Sequence, residues 1–594
     1  MRGKTAMKTV NLTIDGLPVQ VDENMTVLEA AQQVGIDIPT LCYLKDICEV
    51  GDCRICVVEV DGFDNLKSAC VFPVSEGMVV KTHTKKVRLS RKSTMELILA
   101  THSKECLTCC RSTNCELQDL AEELGITELY YSDESPEEII FDDKSNSIVR
   151  DQSKCILCAR CAHTCSKTQG AGILGFVGRG VKTRVTTAFD KSLSDTPCLF
   201  CGQCIVSCPV GAITEKVDID KVWDVLEDPD VHVVVQTAPA VRAALGEEFG
   251  LPYGTNVTGK MVAALRRLGF NKVYDTSFGA DLTIMEEGNE LLDRLKSDGV
   301  LPMITSCSPG WIRYCEHFYP EFIPNLSSCK SPHQMLGAII KSYYAEKNNI
   351  DPSKIFVVSV MPCTSKKDEA AKPELSVNGL QDVDCVITTR ELAKMIRTGR
   401  IDFDLLEDAD FDQDLLGNYT GAGVGFGATG GVMEASLRTV ADILEGKELS
   451  EIDYTQVRGM ADIKEATLVL GGKTIRVAVV HGTAAAGRLL DMIKEGVAKY
   501  DFIEVMGCSG GCVAGGGQPH VSAKEKMKLD IREARANVLR EEDNARGYRK
   551  SHQNPQIQQL YKEYLGEPNS KKAHDLLHTH YTAREKFPLK EENI

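Results

Sequence analysis

The sequence predicts an α/β protein of several domains, in which small cysteine-rich modules precede one large domain built on parallel sheets. A chain of 594 residues is too long for one ordinary hydrophobic core. Most of its 24 cysteines stand in four groups within the first third of the chain. From about residue 225, apolar strands alternate with amphipathic helices, which is typical of parallel sheets covered on both faces.

Composition argues against several functional classes. The net charge of -17 disfavours nucleic-acid binding, because that binding needs clustered Lys and Arg. No apolar run approaches the roughly 18 residues of a membrane span, and the N-terminus lacks the apolar stretch of a secretory signal. We therefore expect a cytoplasmic protein, in which reduced cysteines more often bind metal than form disulfides.

The first 80 residues predict a small β-rich domain. KTVNLTIDG and LPVQVDE are expected to form two strands around a turn, and TVLEAAQQVG a helix that ends at a glycine. Five cysteines follow, and thiolates on a tight loop plus one from a later segment can hold a 2Fe-2S cluster. A zinc site is the alternative, disfavoured because no histidine lies among them. The region resembles the plant-type, β-grasp ferredoxin domain of hydrogenases and NADH dehydrogenase subunits. That resemblance leaves Cys48 spare and implies four ligands: Cys42, Cys53, Cys56 and Cys70.

The second group reads HSKECLTCCRSTNC. One imidazole among three thiolates suits either zinc or a 4Fe-4S cubane, and spacing alone does not separate the two. The same order of modules in complex hydrogenases favours the cubane and leaves Cys110 without a role. The ligands would be His102, Cys106, Cys109 and Cys115.

The third and fourth groups have the spacing of a bacterial ferredoxin with two cubanes. Each is a C-x2-C-x2-C-x3-C run, and the fourth cysteine of each run serves the other cluster. The first run ends in Ser166 where such runs usually have proline. One predicted cubane has the ligands Cys155, Cys158, Cys161 and Cys208, and the other has Cys165, Cys198, Cys201 and Cys204.

In the large domain, several predicted strands end in a cysteine. Ligands bind beyond the carboxyl ends of strands in open α/β sheets, so Cys307, Cys363 and Cys508 are expected to converge on one site. Two glycine-rich runs are poor nucleotide loops. GFGATG follows an acidic loop and no clear strand, and LGGKTI lacks the first glycine of a P-loop.

Three motifs in this domain resemble the signatures of iron-iron hydrogenases: TSCSPGW at 305–311, MPCTSKKDE at 361–369 and EVMGCSGGCVAGGGQP at 504–519. The C-terminal YKEYLGEPNSKKAHDLLHTHY resembles the helical tail that is a separate small subunit in some members. The resemblance implies an H-cluster, in which a cubane is bridged to a di-iron centre that carries CO, cyanide and an azadithiolate.

The resemblance also implies individual roles. Cys363, Cys508 and Cys512 are the expected cubane ligands, with Cys512 bridging to the di-iron centre. Lys366 is expected to donate to a cyanide, although a surface lysine is the plain alternative. The remaining expected contacts are Met361 and Met506 near the distal iron, and Ala238 and Pro239 beside the dithiolate.

A proton route is implied as well, starting at the Cys307 thiol and continuing through Glu287, Ser327, Glu290 and Arg294. Glu287, Glu290 and Arg294 stand at i, i+3 and i+7, so one helix face would carry all three. An ordinary solvated Glu-Arg face is the alternative interpretation.

One position departs from the family pattern, which has two adjacent cysteines where this chain has Cys307 and Ser308. Either Ser308 or water completes the cubane, or Cys307 is a ligand and the relay changes.

The expected domains are a 2Fe-2S domain (1–84), a domain for the histidine-ligated cubane (85–145), a two-cubane domain (146–222), the catalytic domain (223–525) and a helical tail (526–594). By resemblance, the function is reversible H2 oxidation within an electron-bifurcating complex that is linked to NAD(P)H and ferredoxin through partner subunits. The alternatives are a stand-alone ferredoxin-dependent hydrogenase, a non-catalytic iron-sulfur sensor, and an iron-sulfur assembly factor.

Overall fold

The computed structural model describes residues 8–131, 140–297, 299–450 and 453–586. It confirms the predicted fold class, with small N-terminal domains, a large α/β domain and a helical C-terminus. Within the described ranges, no helix combines the length and apolar character needed to cross a membrane.

The N-terminal domain is a five-stranded sheet that packs against one helix, in the order β2-β1-β5-β3-β4. Strands β1 and β2 form the predicted hairpin, and β1 runs parallel to β5. A capping box between Thr26 and Glu29 fixes the start of the helix. The elements are β1 (Thr9–Ile14), β2 (Leu17–Asp22), α1 (Val27–Gln33), β3 (Val57–Val60), β4 (Lys67–Ser68) and β5 (Val79–Lys81).

The next two regions are small and irregular, and cysteines stand among the apolar residues of their cores. Helix α2 (Lys85–Ala100) packs on the first domain, where Arg91 donates to the Val57 carbonyl at 2.8 Å. The other elements are α3 (Glu116–Glu123), β6 (Phe141–Asp142), β7 (Ile148–Asp151), α4 (Arg160–His163), β8 (Gly175–Val177), β9 (Arg184–Thr186), α5 (Gln203–Ser207) and β10 (Ile213–Glu215).

The large domain has two four-stranded sheets. Helix α6 (Ile219–Leu226) spans the expected boundary at residue 222, and its buried Ile219 and Val222 belong to the large core. The first sheet is entirely parallel, in the order β12-β11-β14-β17. The elements between residues 232 and 398 are β11 (His232–Thr237), α7 (Thr258–Leu268), β12 (Lys272–Asp275), α8 (Ser277–Lys296), β13 (Met303–Ile304), α9 (Pro309–Phe318), α10 (Pro332–Ile339), α11 (Ala345–Asn348), β14 (Ile355–Met361), α12 (Ser365–Ala370), β15 (Ser376–Val377), β16 (Leu380–Gln381), β17 (Cys385–Thr388) and α13 (Thr389–Thr398). Of these, β13 joins the second sheet, and β15 and β16 pair with each other as a small antiparallel sheet.

The second sheet has the order β13-β20-β19-β18 and is mixed. Strands β13, β20 and β19 are parallel, whereas β18 pairs antiparallel with β19 at the edge. The hairpin turns at Gly471 and Gly472, which both have positive φ as such a turn requires. The elements are α14 (Gly421–Gly425), α15 (Gly431–Glu445), β18 (Ile463–Leu470), β19 (Lys473–His481), α16 (Thr483–Lys494), β20 (Phe502–Met506) and α17 (Ala523–Lys528).

The C-terminal tail is helical and wraps back onto the large domain. Its buried Ile557, Leu560 and Leu577 join the main core, which fixes the tail by apolar burial. Its helices are α18 (Ile531–Ala545), α19 (Pro555–Leu560) and α20 (Lys571–Leu577).

Candidate active site and cluster sites

The carboxyl ends of four strands meet at one cavity. Strands β11 and β14 reach it from the first sheet, and β13 and β20 reach it from the second. The cavity therefore lies where strand-end geometry predicts a ligand site. Its lining includes the following residues singled out from the sequence: Ala238, Pro239, Cys307, Ser308, Met361, Cys363, Lys366, Met506, Cys508 and Cys512.

One corner of the cavity presents the three predicted cubane thiols. Cys363 follows β14, Cys508 follows β20, and Cys512 lies in the glycine-rich turn beyond. The Ser308 hydroxyl lines the same cavity and accepts a hydrogen bond from the Gly507 N–H at 3.1 Å. Three thiols with a neighbouring hydroxyl provide a donor set that fits a cubane.

Lys366 is a buried side chain with specific partners. Its ammonium donates to the Cys307 carbonyl at 3.1 Å and to Glu369 at 2.8 Å. Burial would raise the pKa of Glu369, but Lys366 and the His333 imidazole outweigh burial and hold that pKa at about 2. A partner ionised in this way fixes the ammonium against the cavity, where a cation suits an anionic ligand.

His333 was not singled out from the sequence, although it lines the cavity. Its ring contacts Glu369 at 2.7 Å and the Ser359 hydroxyl at 3.2 Å. Burial, together with the charge of Lys366, lowers the pKa of His333 to about 4, so the ring is neutral at pH 7. No local motif marked it, because its partners are distant in the sequence.

The remaining walls are apolar and tightly packed. Phe426 and Gly427, within the GFGATG run, line the cavity beside Ala238 and Pro239. A Cβ on Gly427 would lie 3.3 Å from the Ala240 backbone nitrogen and 2.5 Å from a Leu539 methyl, so glycine permits this approach. Water-excluding walls suit a group held by packing and a few hydrogen bonds.

Cys307 lies close enough to the buried Glu287 for the charge of that carboxylate to act on its thiol. Burial, and then the nearby Glu287 carboxylate, raise the pKa of the Cys307 thiol. Glu287 is 1% exposed, and neither of its carboxylate oxygens has a hydrogen-bond partner within 3.5 Å. Burial first, and then the Glu290 charge, raise the pKa of Glu287 to about 8, although the nearby Ser327 hydroxyl and Ser306 amide oppose this shift. A carboxyl group with this pKa can take up and release a proton near neutrality.

Beyond Glu287, the predicted residues form a continuous chain of contacts. The buried Ser327 hydroxyl donates to Glu290 Oε2 at 2.9 Å, and Arg294 donates to Glu290 Oε1 at 2.6 Å. The Glu290 and Arg294 side chains are 15% and 16% exposed, which places the outer end of the chain at the surface. All three charged residues belong to α8, as the spacing predicted.

The first cysteine group gathers beneath the N-terminal sheet. The Cys56 and Cys70 sulfurs are 3.3 Å apart, and Cys42 pairs with Cys53. The Cys48 sulfur contacts the two-cubane domain, where it lies 3.7 Å from the Cys158 carbonyl oxygen.

The members of the predicted histidine-containing set all line a single cavity: His102, Cys106, Cys109 and Cys115. The Nδ1 atom of His102 is buried and has no hydrogen-bond partner, as expected of an imidazole that faces a ligand. Cys110 is exposed and does not line this cavity.

The two ferredoxin-type runs exchange their fourth cysteines in space. Cys155, Cys158, Cys161 and Cys208 line one cavity. Cys198, Cys201 and Cys204 lie close enough to Cys165 for their charges to interact.

The second of these sites adjoins the active cavity, a relationship that sequence reasoning missed. The Gln203 amide donates to the Cys508 sulfur at 3.2 Å and to the Ala514 carbonyl at 2.9 Å. Gly202 and Gly516 pack backbone to backbone, since a Cβ on Gly516 would lie 2.5 Å from the Gly202 Cα. The signal present in the sequence was the pair of glycines, one beside each cysteine motif.

Family models match almost the whole described chain. They are the iron-only hydrogenase large subunit, C-terminal domain (231–516), the iron hydrogenase small subunit (529–584), a 2Fe-2S iron-sulfur cluster binding domain (7–85), the NADH-ubiquinone oxidoreductase-G iron-sulfur binding region (91–129) and the NADH-quinone oxidoreductase subunit 3 ferredoxin-like domain (145–214).

Known relatives agree with these matches. The NADP-reducing hydrogenase subunit HndD of Solidesulfovibrio fructosivorans is 48% identical over 98% of this chain and 100% of its own length. Iron hydrogenase 1 of Clostridium pasteurianum is 44% identical over 97% of this chain and 100% of its own. The solved apo FeFe hydrogenase HydA1 of Chlamydomonas reinhardtii is 42% identical, with a TM-score of 0.56, and covers 62% of this chain and 100% of its own.

The assembly-factor alternative has a weaker likeness. Cytosolic iron-sulfur assembly component 3 of Rattus norvegicus is 32% identical over 67% of this chain and 84% of its own length. The hydrogenases are more similar and also cover the N-terminal cluster domains. The chain therefore belongs to the iron-only hydrogenase family and is a catalytic subunit with a 2Fe-2S domain, 4Fe-4S ferredoxin-like domains and an H-cluster domain.

Proposed function

We propose that this hydrogenase holds its H-cluster in the cavity described above and exchanges protons with solvent through Cys307, Glu287, Ser327, Glu290 and Arg294. The observation that carries the proposal is the convergence of three thiols, the Lys366 ammonium and the Cys307 thiol on one apolar cavity at four strand ends. When bound, the H-cluster supplies the redox chemistry that interconverts H2 with protons and electrons.

The protein's part at the cluster is to bind and orient. Cys363, Cys508 and Cys512 provide the cubane thiolates, and Ser308 lies on the cubane side of the cavity with Cys307 on the relay side. Two contacts support that division. The Ser308 hydroxyl is held by the Gly507 amide next to Cys508, whereas Cys307 packs with Met506 and Phe426 and interacts with Glu287.

Proton transfer follows the side-chain contacts. The Cys307 thiol passes a proton to the Glu287 carboxyl group, whose pKa of about 8 allows both uptake and release at pH 7. Ser327 connects this interior group to Glu290, which reaches the surface beside Arg294. Met361, Met506, Ala238 and Pro239 keep water away from the start of the route, which limits proton leakage.

Electrons arrive through the accessory clusters. Cys201 lies near both Cys363 and Cys508, so the second ferredoxin-type cubane is the immediate neighbour of the active cluster. The contact of Cys48 with Cys158 brings the 2Fe-2S domain against the other cubane. This arrangement supports electron transfer from cluster to cluster that ends at the active site. The Gln203 amide, from the second ferredoxin-type site, donates to the Cys508 sulfur there.

Infrared spectroscopy of the matured protein tests the assignment of the cavity. We expect CO and cyanide bands in wild-type protein and their loss in Cys512→Ala, in which a cubane ligand is missing. The control is Cys385→Ala, which removes a buried thiol at the end of the first sheet, outside the cavity. Retention of the bands in Cys512→Ala would reject the assignment.

We further propose that the chain works in the cytoplasm as one subunit of a complex that exchanges electrons with NAD(P)H and ferredoxin. The support is its full-length similarity to a subunit named as part of an NADP-reducing hydrogenase. The stand-alone alternative is supported by similar full-length coverage of iron hydrogenase 1. Purification from the native host decides between the two alternatives. Flavin-binding subunits that co-purify with the chain would support the complex. Full H2 evolution from reduced ferredoxin by the isolated chain would reject the complex.

A further inference from the structure

A cluster of three metal-binding side chains stands at the outer part of the proposed proton route. One carboxylate oxygen of Glu290, the Cys329 Sγ and one ring nitrogen of His578 lie within 4.8 Å of one another, and we call these residues the Glu290-Cys329-His578 cluster. Cys329 is 0% exposed and its sulfur is 4.0 Å from Glu290 Oε2. Residues 329 and 578 also form an antiparallel backbone bridge, which ties the tail to this point.

The orientation of His578 is fixed by a second carboxylate. Its Nε2 contacts Glu286 Oε2 at 3.0 Å, and Glu286 is itself held by the Tyr561 hydroxyl and by the Asn569 N–H at 2.8 Å. Because a carboxylate accepts only, Nε2 carries a proton, and Nδ1 lies on the side of the ring where the Ser328 hydroxyl connects it to Glu290. A histidine that donates one ring N–H to a carboxylate is the usual arrangement around a protein-bound metal.

The charges also suit a divalent cation. Glu286, Glu290 and a Cys329 thiolate would carry three negative charges. One positive charge balances them in part, that of the Arg294 guanidinium, which donates to Glu290 Oε1. Two negative charges remain, which one divalent ion neutralises. Thiolate, imidazole and carboxylate together select Zn²⁺ or a similarly borderline-soft ion over Mg²⁺ or Ca²⁺.

We propose that the Glu290-Cys329-His578 cluster binds one Zn²⁺ ion through Oε2, Sγ and Nδ1, with water as the fourth ligand. Bond lengths of about 2.0–2.3 Å place neighbouring ligands of zinc about 3.2–3.8 Å apart, so the side chains move inward by less than about 1.5 Å. The Ser328 hydroxyl lies 2.8 Å from His578 Nδ1 and 3.4 Å from Glu290 Oε2 in this structure. It would be displaced when the ion binds.

Zinc at this position would act as a reversible inhibitor. Glu290 Oε2 is the oxygen that accepts from Ser327, so an ion bound there interrupts the proposed route without contacting the active cavity. The ion can enter where Glu290 is partly exposed. The inhibition rests on the proposed proton route, whereas the binding of the ion does not.

The test uses the holoenzyme, incubated with zinc chloride and then passed through a desalting column. We expect wild type to retain one more zinc per chain than Cys329→Ser, and zinc X-ray absorption to show one sulfur in its first shell. Cys385→Ser, which removes another buried thiol, serves as the matched control and should retain zinc as wild type does. Equal retention by Cys329→Ser, or a shell of several sulfurs, would overturn the proposal, and His578→Ala provides a second variant should Cys329→Ser fold poorly.

Activity separates the two proposals. Wild-type H2 evolution should fall as zinc is added while the CO and cyanide bands stay unchanged, and Cys329→Ser should need at least about 10-fold more zinc for the same loss. Zinc that is retained through one sulfur without inhibition would support the metal site and overturn the assigned role of Glu290 in proton transfer.

Discussion

Replacing Glu287 by Gln separates its proton-transfer role from its structural role. Gln has nearly the same size and shape as a protonated carboxyl group, so it fits the buried site of Glu287. The variant should therefore fold and keep its CO and cyanide bands. Turnover should fall about 10²–10⁴-fold, because an amide cannot take up and release the proton.

The same substitution has a calculable effect on stability. The Glu287 pKa of about 8, against an ordinary 4.5, corresponds to about 5 kcal/mol at about 1.4 kcal/mol per pH unit. Since folding raises this pKa, the contribution of the protonated group is fully present below pH 4.5 and is lost as the pH rises towards 8. Wild type should therefore lose stability over that window relative to Glu287→Gln, and the difference should level off above pH 8.

The assay is thermal unfolding of the two proteins from pH 5 to pH 9, together with H2 evolution at pH 7. Asp293→Asn on the same helix is the control, because Asp293 is exposed and should change neither quantity. A Tm difference between Glu287→Gln and wild type that does not vary with pH would refute the buried, protonated state. Near-normal turnover would refute the relay.

Three further predictions concern neighbouring parts of the molecule. Glu290→Gln should lower turnover by about 10²–10⁴-fold and leave the CO and cyanide bands unchanged. Full activity in this variant would show that Glu290 and Arg294 form only a surface ion pair. Lys366→Met should lose the CO and cyanide bands while accessory-cluster EPR signals persist, because it removes the cation that faces the cavity; intact bands would contradict this. His102→Ala should lower the iron content by about four per chain, as expected for a lost cubane, and stoichiometric zinc at this site in wild type would refute the cubane.

The cluster sites could be predicted from the sequence because iron-sulfur ligands follow local spacing. Three ligands such as Cys155, Cys158 and Cys161 come from one short segment, and the exchanged fourth cysteine belongs to the same repeated pattern. The grouping of Glu287, Glu290 and Arg294 could be predicted for a similar reason, since helix periodicity places them on one face of α8.

The contacts that were missed join distant segments. Gln203 and Cys508 are 305 residues apart, and His333 and Glu369 are 36 apart, so no local pattern marks either pair. The antiparallel β18-β19 edge was missed for another reason. Its Gly471-Gly472 turn is a hairpin signal, but the run that contains it was considered only as an incomplete P-loop.

The C-terminal tail stabilises one wall of the active cavity. Arg242 is fully buried, donates to the Pro239 carbonyl at 3.1 Å and pairs with Asp275 and with Glu542 at 2.6 Å. Until α18 has docked, this arginine lacks one of its two counter-charges, and leaving a buried charge without its partner is strongly destabilising. The cavity wall at Pro239 therefore depends on the docking of α18, so a change in the tail is transmitted to the active cavity through one buried arginine.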